Sequence, residues 1–79
     1  MNNEHKTFST SDIILAACLK VSGVEIESIK KMDNGKGVFI FNNVSKEYLS
    51  HYDLGKVLVE PVNFNNAIKH LTTSVRRMG

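Results

Sequence analysis

The stretch from Ser9 to Gly23 reads STSDIILAACLKVSG, and after Asp12 only Lys20 in it is charged. Its ends are those of a helix. Ser9 or Thr10 can accept hydrogen bonds from the first free amides, and Asp12 suits the positive end of the helix dipole. Phe8 can fold back as a hydrophobic staple. Gly23 offers a left-handed exit, so the helix is expected to end near Val21. At about 100° per residue, Ile13, Ala17 and Val21 share one side, Ile14 and Cys18 flank them, and Leu15 and Leu19 lie opposite. A surface helix has one apolar stripe and a polar back. This one has no polar back beyond Lys20 and its caps, so every side of it needs cover.

A chain of 79 residues has little material to give that cover. A domain this small buries only about 60% of the surface its unfolded chain exposes. Residues 1–7 are polar and are expected to be disordered, which leaves 8–79 as a single domain. With 42% hydrophobic and 23% charged residues, the chain has globular rather than disordered composition.

Val24 to Met32 begins as a strand. Val24 and Ile26 alternate with Glu25 and Glu27, and Ser28-Ile29 inverts the pattern, as a bulge would. Asp33-Asn34-Gly35-Lys36-Gly37 is a turn, and Val38 to Phe41 is the returning strand, apolar on both faces. Asn43 or Ser45 caps a second helix running to about Asp53, with Val44, Tyr48 and Tyr52 at four-residue spacing and Gly55 at its end. Val57 to Val59 is a short strand or a link. Glu60 and Pro61 open a third helix whose apolar stripe is Phe64, Ile68, Leu71, Val75 and Met78. The fold class expected is α+β, in the order α-β-β-α-(β)-α, with an antiparallel hairpin packed against three helices.

One chain of this size covers a central helix on about two sides, and a large apolar remainder is rare on a monomer. The sequence therefore predicts a homo-oligomer, dimer or higher. Its seam would draw on Ile14, Leu15, Cys18 and Leu19 of the first helix and Phe39 and Phe41 of the hairpin.

No catalytic constellation assembles, and the expectation is a protein that is not an enzyme and takes no cofactor. Cys18 lies mid-way along the most apolar helix, where desolvation opposes the thiolate, so it reads as structural. His5, His51 and His70 lack metal-ligand spacing. Gly35-x-Gly37 precedes a strand rather than a helix, so it is a turn and not a phosphate loop. Glu25 and Glu27 read as a solvent face. The lone cysteine fits a reducing compartment. No apolar run reaches the ~20 residues of a bilayer span, and the first residues lack a signal-peptide core, so the expected location is the cytoplasm.

The basic residues carry the functional lead. Lys30, Lys31 and Lys36 cluster at the hairpin tip, and Lys69, Arg76 and Arg77 line the polar side of the last helix. If the two sets converge, they form a phosphate-binding surface, with Tyr48 and Tyr52 as stacking platforms for a base. A nucleic acid or a nucleotide-type small molecule is the expected ligand. The alternative is a protein-interaction or inhibitor module that docks a host protein through apolar surfaces.

The order of several short motifs adds a resemblance. Phe8-x-Thr10-x-Asp12 leads into Leu15-Ala16-Ala17, Leu19 and Gly23-Val24. Val38-Phe39-x-Phe41, Tyr52-x-x-Gly55 and then Glu60, Pro61, Phe64, Ala67, Ile68 and Leu71 follow. Over residues 8 to about 75 the chain resembles a small family of bacterial genomes and phages that is a domain of unknown function. The resemblance implies an α+β fold and a phage or prophage setting. It carries no activity and no functional residues.

Overall fold

The computed structural model describes residues 6–78. Three strands, β1 (Thr7–Thr10), β2 (Ile26–Lys31) and β3 (Gly37–Asn42), form one antiparallel sheet in the order β1-β3-β2. Three helices, α1 (Ile13–Val21), α2 (Lys46–Asp53) and α3 (Pro61–Arg77), complete an α+β domain.

The third strand comes from the start of the chain, not from Val57 to Val59. Thr7 pairs with Asn42 and Phe8 with Phe41, and the Asn43 amide donates to the Lys6 carbonyl at 2.9 Å. Residues 6 and 7 are thus sheet-bound, which corrects the expected disorder there. Residues 1–5, including His5, lie outside the described residues. Among the described residues Lys56 to Glu60 has no strand partner. Phe8 consequently sits in the sheet and is not a staple.

The strand also moves the start of the first helix. Asp12, not Ser9 or Thr10, is the N-cap: its Oδ1 accepts from the amides of Ile14 at 3.0 Å and Leu15 at 3.3 Å. Thr10 Oγ1 accepts from the Asp12 amide and closes the turn between β1 and α1. At the other end Gly23 takes φ +92°, and the Val24 and Gly23 amides return to the carbonyls of Leu19 and Lys20. The other helix caps match the sequence reading. Ser45 caps α2 and Glu60 caps α3, whose first residue is Pro61. The bulge in β2 is real: the register shifts between Ile26 and Ser28.

Residues paired across an antiparallel sheet share a face. Phe8, Phe41, Ile26, Phe39 and Ile29 therefore lie together, under the helices. Phe39 and Phe41 are buried there with Leu15, Ala16, Ala17, Leu19, Ala67 and Leu71. On the far face Val38 and Ile40 are only half-buried, beside Ser9, Ser28 and Lys30.

Three parts of the chain cover α1. The sheet supplies Phe39 and Phe41, and α3 packs along it through Ala67 and Leu71. The second helix ties itself to both ends. Tyr48 Oη and Ser22 Oγ are 3.0 Å apart at the C-terminus of α1, and Tyr52 Oη donates to Asp12 Oδ2 at 3.0 Å at its N-terminus. Leu15, Cys18, Leu19, Phe39 and Phe41 are all buried by their own chain. That corrects the expected oligomer seam, because side chains enclosed in one core present no surface to a second copy. Of the six seam residues Ile14 alone is open, at 51% exposure.

Candidate functional site

The site begins with a glycine. Gly35, at φ +86°, closes the hairpin turn: its amide donates to the Met32 carbonyl, Met32 N donates to the Lys36 carbonyl, and Asn34 Oδ1 accepts from Lys36 N. This turn places Gly37 at the first position of β3, opposite Lys31. A Cβ on Gly37 would overlap Val75 Cγ2 of α3, so the last turns of α3 rest directly on the hairpin backbone.

That close approach brings the two basic sets together. An open groove of about 380 Å³ lies between the hairpin tip, the start of α1 and the end of α3. Lys31, Lys36 and Arg76 line it, Ile13, Phe39 and Val75 form its apolar part, and Ser11 and Thr72 add hydroxyls. Among the described residues no carboxylate lines it. Lys31 shares the helix-covered face of the sheet because it pairs with Gly37. Three cations, two hydroxyls and an apolar floor can hold a phosphate group beside an uncharged body.

The other expected ligand residues fall elsewhere. Lys30 pairs with Val38 and stands on the far face of the sheet. Arg77 lines a second groove on the opposite flank of α3, with Lys20, His70, Ile26 and Ile29. Lys69 is exposed on α3, two turns before Arg76 and on the same side of the helix. Tyr48 and Tyr52 do not line the hairpin groove. They are half-buried against the core, and their hydroxyls are engaged with Ser22 and Asp12. Burial first, then the hydrogen bond to Asp12 and its charge, raise the Tyr52 pKa to about 12.

Gly37, Ser11, Thr72, Lys20 and His70 escape sequence reasoning. Gly37 had a signal, a glycine heading an apolar strand, but nothing in one chain's order pairs it with Val75. Cys18 is buried as expected, and its pKa is raised by burial and then by the charge of Asp12, which disfavours the thiolate. No helix among the described residues is long and apolar enough to cross a membrane.

Neither the curated proteins nor the solved structures contain a match to this chain. One family model does match, over residues 5–76, which takes in β1, the hairpin tip and Arg76. That span is nearly the whole sequence, and the chain belongs to the family described as a domain of unknown function, DUF5659.

Proposed function

We propose that this chain is a non-enzymatic binding protein that holds a phosphate-bearing ligand, of nucleotide or nucleic-acid type, in the groove between the hairpin tip and α3. One observation carries the reading: Lys31 and Lys36 of the hairpin and Arg76, some forty residues on, come to one groove with no carboxylate in its lining among the described residues. The apolar floor of Ile13, Phe39 and Val75 suits the uncharged part of such a ligand. The resemblance to a family of bacteria and phages supports a phage or prophage protein working in the cytoplasm, where sequestering a signal or blocking a host factor is a counter-defence role. One chain supplies the whole groove, so the reading stands without a second copy.

The test is titration of the protein with pyrophosphate, a nucleotide panel and a short oligonucleotide. Affinity should fall steeply between about 50 and about 200 mM salt as counterions compete. Lys36→Glu and Arg76→Glu should each weaken binding at least about tenfold, the scale of one charge-assisted contact. Unchanged affinity in both variants would reject the groove.

A second reading has its own observation. Leu54, Leu58 and Val62 are exposed around the link between α2 and α3, Leu58 at 93%. A protein partner docking there would bind with little salt dependence, and Leu58→Asp would abolish that binding while leaving the groove intact.

A further inference from the structure

The last helix carries more than the groove uses. From Pro61 to Arg77 it has no carboxylate, and Glu60 acts as its cap. At about 100° per residue, Asn65, Asn66, Lys69, Thr73, Arg76 and Arg77 fall on one side. All of them except Arg76 lie away from the hairpin groove, and all six are exposed. Leu71 and Ala67 on the other side are buried in the core. Val62, exposed in the first turn, shares that side, and from Asn65 onward the open side of α3 is a surface of amides, a hydroxyl and cations. Its charges have one sign.

Its two borders are basic as well. The hairpin groove brings Lys31 and Lys36 to one flank. The grooves on the opposite flank bring Lys20 from the end of α1, next to His70. A helix with side chains is about 10–12 Å across, and the major groove of B-form DNA is about 12 Å wide. A helix seated there has a phosphate backbone along each flank. Arg and Lys contact guanine edges in that groove, Asn contacts adenine, and all three residue types stand on the open side of α3. Duplex RNA offers no such seat, since its major groove is too narrow for side chains to read.

We infer that α3 is a DNA-reading helix. Its open face enters the major groove of a duplex, Asn66, Lys69 and Arg77 face base edges, and Lys20, Lys31 and Lys36 hold the two backbones. This deepens the proposed function by committing the phosphate-bearing ligand to double-stranded DNA, and it rests on that reading for the hairpin flank only.

The test is fluorescence anisotropy of the full chain with labelled duplexes enriched from a random pool, against single strands and duplex RNA. The duplex should bind more tightly than either competitor. Lys69→Glu and Arg77→Glu, which lie outside the hairpin groove, should each weaken it roughly tenfold, as loss of a charged contact does. Asn66→Ala should reduce the preference for the enriched site over random DNA and leave the salt dependence unchanged, because an amide releases no counterions. Circular dichroism confirms that each variant is folded, as expected for exposed positions. Equal binding of single and double strands, or no loss in Lys69→Glu and Arg77→Glu, would overturn the inference. If duplex binding is absent but pyrophosphate still binds and is lost in Lys36→Glu, the groove stands and the reading helix falls. If the duplex binds and Lys36→Glu changes neither ligand, the groove falls and the helix stands.

Discussion

Helices α1 and α3 meet along their length and could hardly differ more. In α1 five consecutive residues, Leu15 to Leu19, are buried, so no side of the helix is left to solvent over that span. In α3, nearly twice as long, only Ala67 and Leu71 are buried, and Phe64, Ile68 and Val75 are half-covered. The contact between them uses small residues, Ala16 and Ala17 with Ala67 close by in one cluster, which lets two backbones approach. The lesson concerns what greasiness means in a short chain. An all-round apolar helix can be a signal for assembly or for being wrapped. Here the wrapping comes from a sheet built with the first strand of the chain, a helix pinned at both ends by tyrosines, and a long third helix. The chain's charge is left for the wrapper to display.

The sharpest way to break that contrast is to cut into each helix. Leu19 is fully buried, and Leu19→Ala should cost about 2–5 kcal/mol. A domain of this size has roughly 4–12 kcal/mol in total, so the variant should lose much of its cooperative unfolding transition in urea. Lys69→Ala on the open side of α3 should change stability by less than about 0.5 kcal/mol. Ile14→Glu is the control within α1. Ile14 is half exposed, so this variant should stay folded with unchanged mass in light scattering. A change of mass would restore the seam that burial of its neighbours removes.

A second break targets the joint between α3 and the hairpin. Gly37→Ala places a Cβ against Val75 Cγ2 and should cost about 1–3 kcal/mol, the range for overpacking. Adding Val75→Ala removes the opposing methyl groups, and the double variant should recover part of that loss, a coupling of at least about 0.5 kcal/mol. The hairpin tip should also move away from Arg76 in Gly37→Ala alone, so its affinity for pyrophosphate should drop with the stability. Retained affinity would mean that Lys31 and Lys36 do not depend on Arg76 for their place in the groove.

Much of this fold is legible in the sequence because local chemistry fixes it. Ser45, Glu60 with Pro61, Gly23 and Gly35 each satisfy a backbone demand within a few residues, and the structure uses each where it was expected. The bulge in β2 is local too, visible as a break in alternation. What fails is long-range. Thr7 to Thr10 has only four residues, and its serine and threonines read equally well as helix caps. Its partner Phe41 lies more than thirty residues on. Without that strand α1 lacks cover on one side, and a buried core reads as a seam. In the site, the cations of the hairpin and α3 were legible as two sets. Their meeting was not, because it depends on the missing side chain of Gly37. The place of the tyrosines is hidden for a related reason: their spacing fits a core or a stacking face, and their ties to Ser22 and Asp12 depend on how α2 docks.

The smallest break is at the tie between α2 and α1. Tyr52→Phe removes the hydroxyl that donates to Asp12 Oδ2 and nothing else. At neutral pH the cost should be about 1 kcal/mol or less, since the pair is solvent-accessible. Its pH dependence is more telling than its size. Tyr52 keeps its proton up to about 12 in the folded chain, whereas an unfolded tyrosine loses it near about 10. Below that lower value the stabilisation is fully present. Between the two, the unfolded state binds fewer protons than the folded one, so stability falls as pH rises. Urea midpoints of the wild type and Tyr52→Phe, followed from about pH 9 to about pH 12, should therefore converge, because the phenylalanine has no proton to lose. Taking the difference between the two proteins cancels the lysines, which titrate in the same window. A gap that stays constant across it would show that neither burial nor the Asp12 contact holds the Tyr52 proton in the folded chain.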